Sequence, residues 1–151
     1  MITADLIVEN LAASSKKQAF KLLSEQAAGL FFGNPADVFD ALMAREQIGS
    51  TGIGCGVAIP HIKLPNLKKM YGVMARLEQP VDYDSIDEKP VDIIFMILAP
   101  AENKMTQHLK ALADISRFLK DAQNCAQIRC TASRGDLSTL INDWLKKNQA
   151  A

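Results

Sequence analysis

The stretch Gly49-Ser-Thr-Gly-Ile-Gly-Cys-Gly-Val-Ala-Ile-Pro-His61 sets the order of elements in this chain, and four of the eight glycines fall in its first eight residues. A helical pattern precedes it, and the short apolar run 57–59 follows it, which predicts helix, loop and strand. That order excludes the dinucleotide fingerprint, which needs a strand before the glycines and a helix after them. The phosphate loop of nucleotide-binding proteins is also excluded, because no Gly-Lys-Ser/Thr follows.

Two readings of the glycine-rich stretch stay open on the residues alone. Glycines allow close approach of the backbone, and successive N–H groups can surround an anion. These amides would come from Ser50, Thr51, Gly52, Gly54 and Gly56. The first two residues would also supply hydroxyl donors. The alternative is a tight irregular turn that holds no ligand.

The protein has only two histidines, the side chains best suited to proton and phosphoryl chemistry near neutral pH. We expect His61 where the short strand ends, with Pro60 stiffening the approach, so that a neutral imidazole nitrogen can attack phosphorus. The alternative is a structural histidine. We expect His108 near the start of a helix, where the residues alone favour a partly buried ring with a satisfied hydrogen bond over a donor to a phosphoryl oxygen.

Charged and sulfur-bearing residues surround the same stretch. Arg45 precedes it and Lys63 follows it, and both suit phosphate oxygens, although each is also compatible with a solvated surface charge. Cys55 lies within the glycines and is a possible nucleophile with a histidine base, but nothing else in the chain supports that role. The histidines and cysteines show no recognised zinc spacing. We therefore expect neither a metal nor a cofactor.

Hydrophobic periodicity elsewhere predicts helices interleaved with strands, hence one α/β domain over residues 1–151. The predicted helices are one capped by Ser15 and stopped by Gly33, one begun by Asn34-Pro35 that ends near Glu46, one from Met105 to Leu119, and a last one capped by Asp136. The predicted strands are Tyr71–Leu77 and the buried run Ile93–Leu98, separated by a loop over 78–90. Residues 5–9 fit a strand or a loop, residues 121–130 are ambiguous, and the strand order is open.

Composition excludes several classes of protein. Lys and Arg number 17, and so do Asp and Glu, so the electrostatic footprint of a nucleic-acid binder is missing. Hydrophobic residues make up 48%, which excludes a disordered chain. The longest apolar run, residues 93–101, is about half the ~20 residues of a membrane span, and no secretory signal is visible. Three cysteines form no disulfide framework, and we expect a cytoplasmic protein.

Two segments resemble a known family when taken together. Arg45-Glu-Gln-Ile-Gly-Ser-Thr-Gly-Ile-Gly-Cys-Gly-Val-Ala-Ile-Pro-His61 resembles the enzyme IIA proteins of the fructose/mannitol and nitrogen-regulatory branches of the bacterial phosphotransferase system. His108-Leu-Lys-Ala-Leu-Ala-Asp-Ile-Ser-Arg-Phe-Leu119 resembles the second-histidine helix of that family. The similarity runs from about residue 4 to residue 147, and the Gly-Ser-Thr-Gly-Ile-Gly segment is closer to the nitrogen-regulatory branch.

The resemblance implies a mixed β-sheet flanked by helices and a phosphocarrier function. His61 is implied as the residue that accepts a phosphoryl group from a phosphorylated HPr-like carrier protein, His108 as its assistant, and Arg45 as a neighbour of the phosphoryl group. Many members have Gly-Arg after the active histidine, where this chain has Ile62-Lys63, so a lysine keeps the charge without the bidentate fork. The approach Pro100–His108 is less glycine-rich than in many members.

Three functions stay open at this point. The first is a regulatory phosphocarrier of the nitrogen branch, for which the resemblance implies targets such as a potassium transporter or a sensor kinase. The second is a sugar-specific IIA component that passes phosphate to a IIB domain; no IIB or IIC segment lies within the 151 residues, which favours the first. The third is a module that binds an anion without transferring phosphate.

Overall fold

The fold is built around the continuous apolar run at residues 93–98, which forms the fully buried middle of a long central strand. A computed structural model describes residues 2–102 and 104–148. Within those ranges the elements are, in chain order, β1 (Ala4–Leu11), α1 (Lys16–Ala28), α2 (Pro35–Ile48), β2 (Gly52–Gly54), β3 (Val57–Ala58), β4 (His61–Leu64), β5 (Tyr71–Val81), β6 (Val91–Pro100), α3 (Met105–Lys120), α4 (Ala122–Cys130) and α5 (Arg134–Asn148).

The strands form one mixed sheet in the order β1-β5-β6-β3-β2, and β4 pairs with β6 beyond β3. β1 is parallel to β5, and both β3 and β4 are parallel to β6. β5 and β6 are antiparallel neighbours, and β2 and β3 form an antiparallel hairpin. The predicted α/β class with a mixed sheet flanked by helices is confirmed, and the structure adds the strand order.

Helices cover both faces of the sheet, and alternate side chains of β6 pack into the two hydrophobic cores on these faces. Ile94, Met96 and Leu98 belong to the core under α1 and α2. The residues between them belong to the core under α3, α4 and α5. Because both faces of β6 are buried, its sequence reads as one apolar run without alternation. Each such side chain contributes about 1.5–3 kcal/mol on burial.

Helix starts follow the predicted capping residues with two differences. Ser15 Oγ accepts from the Gln18 amide (3.1 Å), but the Gln18 side chain accepts from the Ser14 amide (2.7 Å), so the reciprocal bond is shifted by one residue. Asn34 caps α2 as predicted. The last helix begins earlier than predicted, because Ser133 Oγ accepts from the Asp136 amide (3.1 Å). Asp136 therefore lies in the first turn of α5 and is not its cap.

Other parts of the chain also differ from the sequence-based predictions. α1 ends at Ala28, five residues before Gly33, because the turns over 29–32 already leave the helix. β5 continues to Val81, into the predicted loop. The ambiguous residues 121–130 include α4. Most relevant to the site, β3 ends at Ala58 and His61 begins a separate strand, β4.

The connection between β6 and α3 leads directly to the second histidine. Within the approach Pro100–His108, Asn103 lies outside the described residues, so the predicted difference in loop shape is left as a prediction. Among the helices in the described ranges, none is long and apolar enough to cross a membrane.

Candidate functional site

His61 is directed toward the α3 layer of the molecule. On β4, Ile62 and Leu64 contribute to the core under α1 and α2, and strand alternation therefore turns His61 and Lys63 to the opposite face. His61 Nδ1 lies 3.0 Å from the carbonyl oxygen of Ile59. A carbonyl oxygen only accepts hydrogen bonds, so this contact places the proton of a neutral ring on Nδ1. The lone pair of the neutral imidazole is then on Nε2.

His108 lies in the first turn of α3 and faces His61. The ring centroids are 5.4 Å apart, with the ring planes at 61°. The His108 residue is 7% exposed, and its Nδ1 is buried without a hydrogen-bond partner in the described part of the chain. Burial lowers the pKa of His108, and the neighbouring His61 and Lys63 lower it further. The neutral form of His108, which carries one N–H donor, is therefore favoured.

Lys63 lies on the same face of β4 as His61. It is exposed, and its charge is near enough to act on the pKa of His108. His61 and Lys63 therefore both lie near His108. A cation beside a neutral nucleophile and a neutral donor suits the binding of an anion at this point.

The hydroxyl groups of the glycine-rich stretch are engaged within the protein. Thr51 donates its amide N–H to the Glu46 carboxylate (3.1 Å), and its hydroxyl also contacts Glu46 Oε1 and Tyr83 Oη (the latter at 2.8 Å). Ser50 Oγ contacts the Tyr83 carbonyl at 3.4 Å and accepts from the Gly52 amide at 3.1 Å. These contacts hold the loop itself, so neither hydroxyl is free to bind a ligand in this arrangement.

Glu46 is the centre of a polar network that the sequence analysis did not single out. Its side chain is 5% exposed and pairs with Lys16 (3.0 Å), whose ammonium also lies 4.6 Å from the Tyr83 ring centroid. Burial raises the pKa of the Tyr83 hydroxyl strongly, and the Glu46 charge adds to the rise. Tyr83 lies in the predicted polar loop, where nothing in the sequence marks it as buried. Glu46 was visible only as the neighbour of Arg45.

Arg45 bonds the backbone just after the end of α2. Its Nη1 donates to the Gly49 carbonyl (2.9 Å). The Ile59 amide donates to the Thr51 carbonyl (3.0 Å), two residues before His61. The place of Arg45 beside a phosphoryl group stays a prediction.

The Gly54-Cys55-Gly56 turn lies at the end of the β2–β3 hairpin that is far from His61. The Cys55 amide donates to Asp87 (3.0 Å), and the Cys55 carbonyl accepts from Arg129 (3.1 Å). Gly56 accepts from the Asp92 amide at the start of β6. His61 pairs five residues further along β6, at Ile97, which corresponds to about 16 Å of strand. Gly54 and Gly56 therefore do not share a site with His61, contrary to the expectation from sequence.

Positive φ angles explain why glycine is required at that turn. Gly54 has φ +99° and Gly56 has φ +83°, in the region that L side chains rarely adopt. Cys55 itself has φ 57° and completes the turn. Of the two interpretations left open by the residues, the tight turn that holds no ligand describes Gly54 to Gly56.

Comparison with known proteins assigns the chain to a family. The family model described as "Phosphoenolpyruvate-dependent sugar phosphotransferase system, EIIA 2" matches residues 1–144, and the chain belongs to this family. The resemblance stated from the two motifs is thereby confirmed.

Named relatives and a solved structure agree with this assignment. The chain is 44% identical over 131 residues to a nitrogen regulatory protein of Bradyrhizobium diazoefficiens, covering 87% of this chain and 85% of the relative. It is 42% identical over 130 residues to a nitrogen regulatory protein of Escherichia coli K12, covering 85% and 79%. The crystal structure of nitrogen regulatory protein IIA-Ntr from Neisseria meningitidis superposes with a TM-score of 0.85 at 32% identity, covering 92% and 94%.

Proposed function

We propose that the protein is a phosphocarrier whose His61 accepts a phosphoryl group from a phosphorylated HPr-type carrier protein, in the nitrogen-regulatory branch of the system. The contact of His61 Nδ1 with the Ile59 carbonyl carries this proposal, since it leaves Nε2 as the nucleophilic nitrogen. The side chains beside it are a buried neutral histidine and a lysine, as an incoming anion requires. The names of the relatives support the regulatory branch.

The transfer exchanges one nitrogen–phosphorus bond for another. The Nε2 lone pair of neutral His61 attacks phosphorus as the bond to the imidazole nitrogen of the donor breaks, and that electron pair returns to the donor nitrogen. The proton of His61 stays on Nδ1, which donates it in a hydrogen bond to the Ile59 carbonyl during the step. Beyond supplying the His61 nucleophile, the protein contributes little covalent chemistry to this step. Positioning and charge stabilisation therefore dominate the rate.

Several groups stabilise the charge of the phosphoryl oxygens in this proposal. Neutral His108 donates one N–H, and Lys63 supplies a mobile positive charge. No side chain of the described residues caps α3, and the N-terminal end of this helix adds the positive end of its dipole beside His108. Arg45 contributes charge from the side of Gly49.

An apolar surface beside the site suits a carrier that binds briefly. Met105 is 59% exposed and Leu109 is 53% exposed, and they flank His108 on α3. A carrier must bring its own phosphohistidine to His61, so these side chains lie where it would make contact. Transient partners of this kind use modest interfaces.

Intact-mass measurement after incubation with phosphoenolpyruvate, enzyme I and the HPr-type carrier tests the proposal. We expect a gain of one acid-labile phosphoryl group in the wild-type protein, none in His61→Ala, and a full gain in the surface control Lys146→Ala. Acceptance by His61→Ala would overturn the site assignment, and no gain in wild type would overturn the carrier function. Discharge of the phosphorylated protein by a IIB domain would favour the sugar-specific alternative instead.

A further inference from the structure

A groove runs along the outer side of the helical hairpin formed by α1 and α2, in the layer opposite His61 and His108. We name it the α1–α2 groove and define it by two adjoining cavities. The first, of about 410 Å³, is lined by Lys17, Lys21, Ser24, Glu25, Pro35, Ala36 and Phe39. The second, of about 360 Å³, shares Lys17 with the first and is lined also by Ser15, Lys16, Met43, Glu46 and Gln47. We propose that this groove binds an amphipathic helix of a partner protein that carries acidic side chains along one edge.

The shape of the groove favours a helix. Its α2 wall extends from Pro35 to Gln47, which is about 18 Å at ~1.5 Å per residue, or three helical turns. Phe39 and Met43 are half-buried and supply apolar surface one turn apart. A third helix packs into the furrow between two others by the same ridge-and-groove contacts that join α1 to α2. Apolar anchors at helical spacing are how helix-in-groove partners are held.

The charges at the rim favour acidic residues on that helix. Lys17 and Lys21 are exposed, lie one turn apart on α1, and form no ion pair within the described residues. Two acidic side chains four residues apart on a partner helix have the same spacing as Lys17 and Lys21, so each can pair with one lysine. Glu25 at the far end of the rim gives the groove a polarity, because it disfavours a further acidic residue there.

The same features disfavour a lipid surface as the occupant. The apolar side chains form a concave floor, whereas membrane-binding helices present a convex apolar face. Asp37 and Asp40 are exposed on α2 and would face an anionic bilayer. A partner in the groove also leaves His61 accessible, because α1 and α2 cover the other face of the sheet. A bound partner and a phosphoryl donor can therefore occupy the protein together.

A designed peptide tests the groove in the full-length protein. The probe is a helical peptide of about 18 residues with leucines at i, i+4, i+7 and i+11 and two glutamates four residues apart on one edge. Amide shifts of the labelled protein are followed during titration. We expect saturable changes at Lys17, Lys21, Phe39 and Met43. We expect the matched peptide with lysines in place of both glutamates to bind at least about tenfold more weakly.

Charge-reversed variants make the test specific. Lys17→Glu with Lys21→Glu should weaken the acidic peptide at least about tenfold and strengthen the basic one, while Lys146→Glu with Lys147→Glu, the same change of charge on α5, should leave binding unaltered. All variants should accept the phosphoryl group on His61 at the wild-type rate, which separates this proposal from the proposed function. No saturable binding, shift changes confined to α3, or equal affinity for both peptides would overturn it. Binding to anionic phospholipid vesicles in place of the acidic peptide would also overturn it, in favour of a membrane surface.

Discussion

His61 and His108 lie edge to face across the end of the sheet, with 5.4 Å between ring centroids. One ring has its Nδ1 on a backbone carbonyl, and the other has a buried Nδ1 without a partner in the described ranges. The two rings are therefore prepared for different tasks, although they are the same residue type. In the proposed transfer, His61 presents a lone pair to phosphorus, and one nitrogen of His108 donates a hydrogen bond to a phosphoryl oxygen.

Replacing His108 tests which of its nitrogens acts as the donor. An Asn amide places its N–H near the position of Nδ1, and a Gln amide reaches the position of Nε2. We expect His108→Ala to slow phosphoryl acceptance by about 100-fold, the usual loss for one preorganised donor to a developing negative charge. One of the two amide variants should recover a large part of that loss. Rapid-quench sampling with intact-mass detection measures these rates.

The same set of His108 variants has one outcome that would contradict an assisting role for His108. Equal rates for wild type, His108→Ala and both amide variants, with unchanged unfolding midpoints, would remove His108 from the transfer step. It would then be a buried histidine that packs beside His61 without assisting it.

The protonation of His108 should change with phosphorylation. Burial holds its pKa below the ordinary value of 6.5 in the free protein, and Lys63 adds to the decrease. A phosphoryl group on His61 adds roughly −1.5 to −2 charge and stabilises the protonated ring. We expect the pKa of His108 to rise on phosphorylation, as measured by NMR titration of its ring protons. An unchanged pKa would place the phosphoryl group away from His108.

The lowered pKa of His108 also predicts how stability depends on pH. The unfolded chain takes up a proton on this residue as the pH falls through 6.5, whereas the folded chain does so only at lower pH. The contribution of neutral His108 to stability is therefore fully present above pH 6.5 and is lost as the pH falls toward the folded pKa. Between pH 6.5 and the folded pKa of His108, the urea midpoint of the wild type should fall more than that of His108→Gln. Parallel curves would contradict the linkage.

Lys63 should affect both the ring of His108 and the rate of transfer. Lys63→Gln removes a charge that lowers the pKa of His108, so we expect that pKa to rise. Since Lys63 is exposed, we expect transfer to slow by at most about fivefold, which corresponds to about 1 kcal/mol for a solvent-screened charge. Lys68→Gln, at an exposed lysine outside the site, is the matched control. A loss as large as that of His61→Ala would mean that Lys63 contributes much more than screened charge.

The sequence predicted the helix that carries His108 but predicted the surroundings of His61 and the glycine-rich stretch only in part, and the reason is physical. A buried central strand and amphipathic helices leave strong local patterns, so the α/β class and the position of His108 on α3 were readable. Strand pairing is non-local, so nothing in the sequence placed the Gly54–Gly56 turn at the far end of its hairpin from His61. The burial of Tyr83 beside Glu46 depends on the same long-range packing.

The separation of Gly56 from His61 predicts a substitution that changes stability and leaves transfer intact. Gly56 has φ +83°, and an added Cβ would lie 2.8 Å from Arg129 Nη2 and 3.0 Å from Asp92 Oδ1. We expect Gly56→Ala to cost about 1–2 kcal/mol of unfolding free energy, the usual penalty of a side chain in the left-handed region. The folded fraction should accept the phosphoryl group at the wild-type rate. A loss of rate without loss of stability would return Gly56 to the phosphoryl site.

Thr51 and Tyr83 share the Glu46 carboxylate but should differ in what their loss does to His61. Tyr83→Phe removes one hydroxyl and leaves Thr51 bonded to Glu46, so we expect a loss of about 1 kcal/mol. Thr51→Val removes the hydroxyl contacts to both Glu46 and Tyr83, while the residue 51 amide and Lys16 stay on the carboxylate, so we expect a loss of about 1–3 kcal/mol. The Thr51 carbonyl also accepts from the Ile59 amide, and the Ile59 carbonyl in turn holds His61 Nδ1. The ¹⁵N shifts of the His61 ring, which report its tautomer, should therefore move in Thr51→Val and stay constant in Tyr83→Phe. Equal His61 spectra in both variants would mean that Thr51 stabilises the loop without positioning the nucleophile.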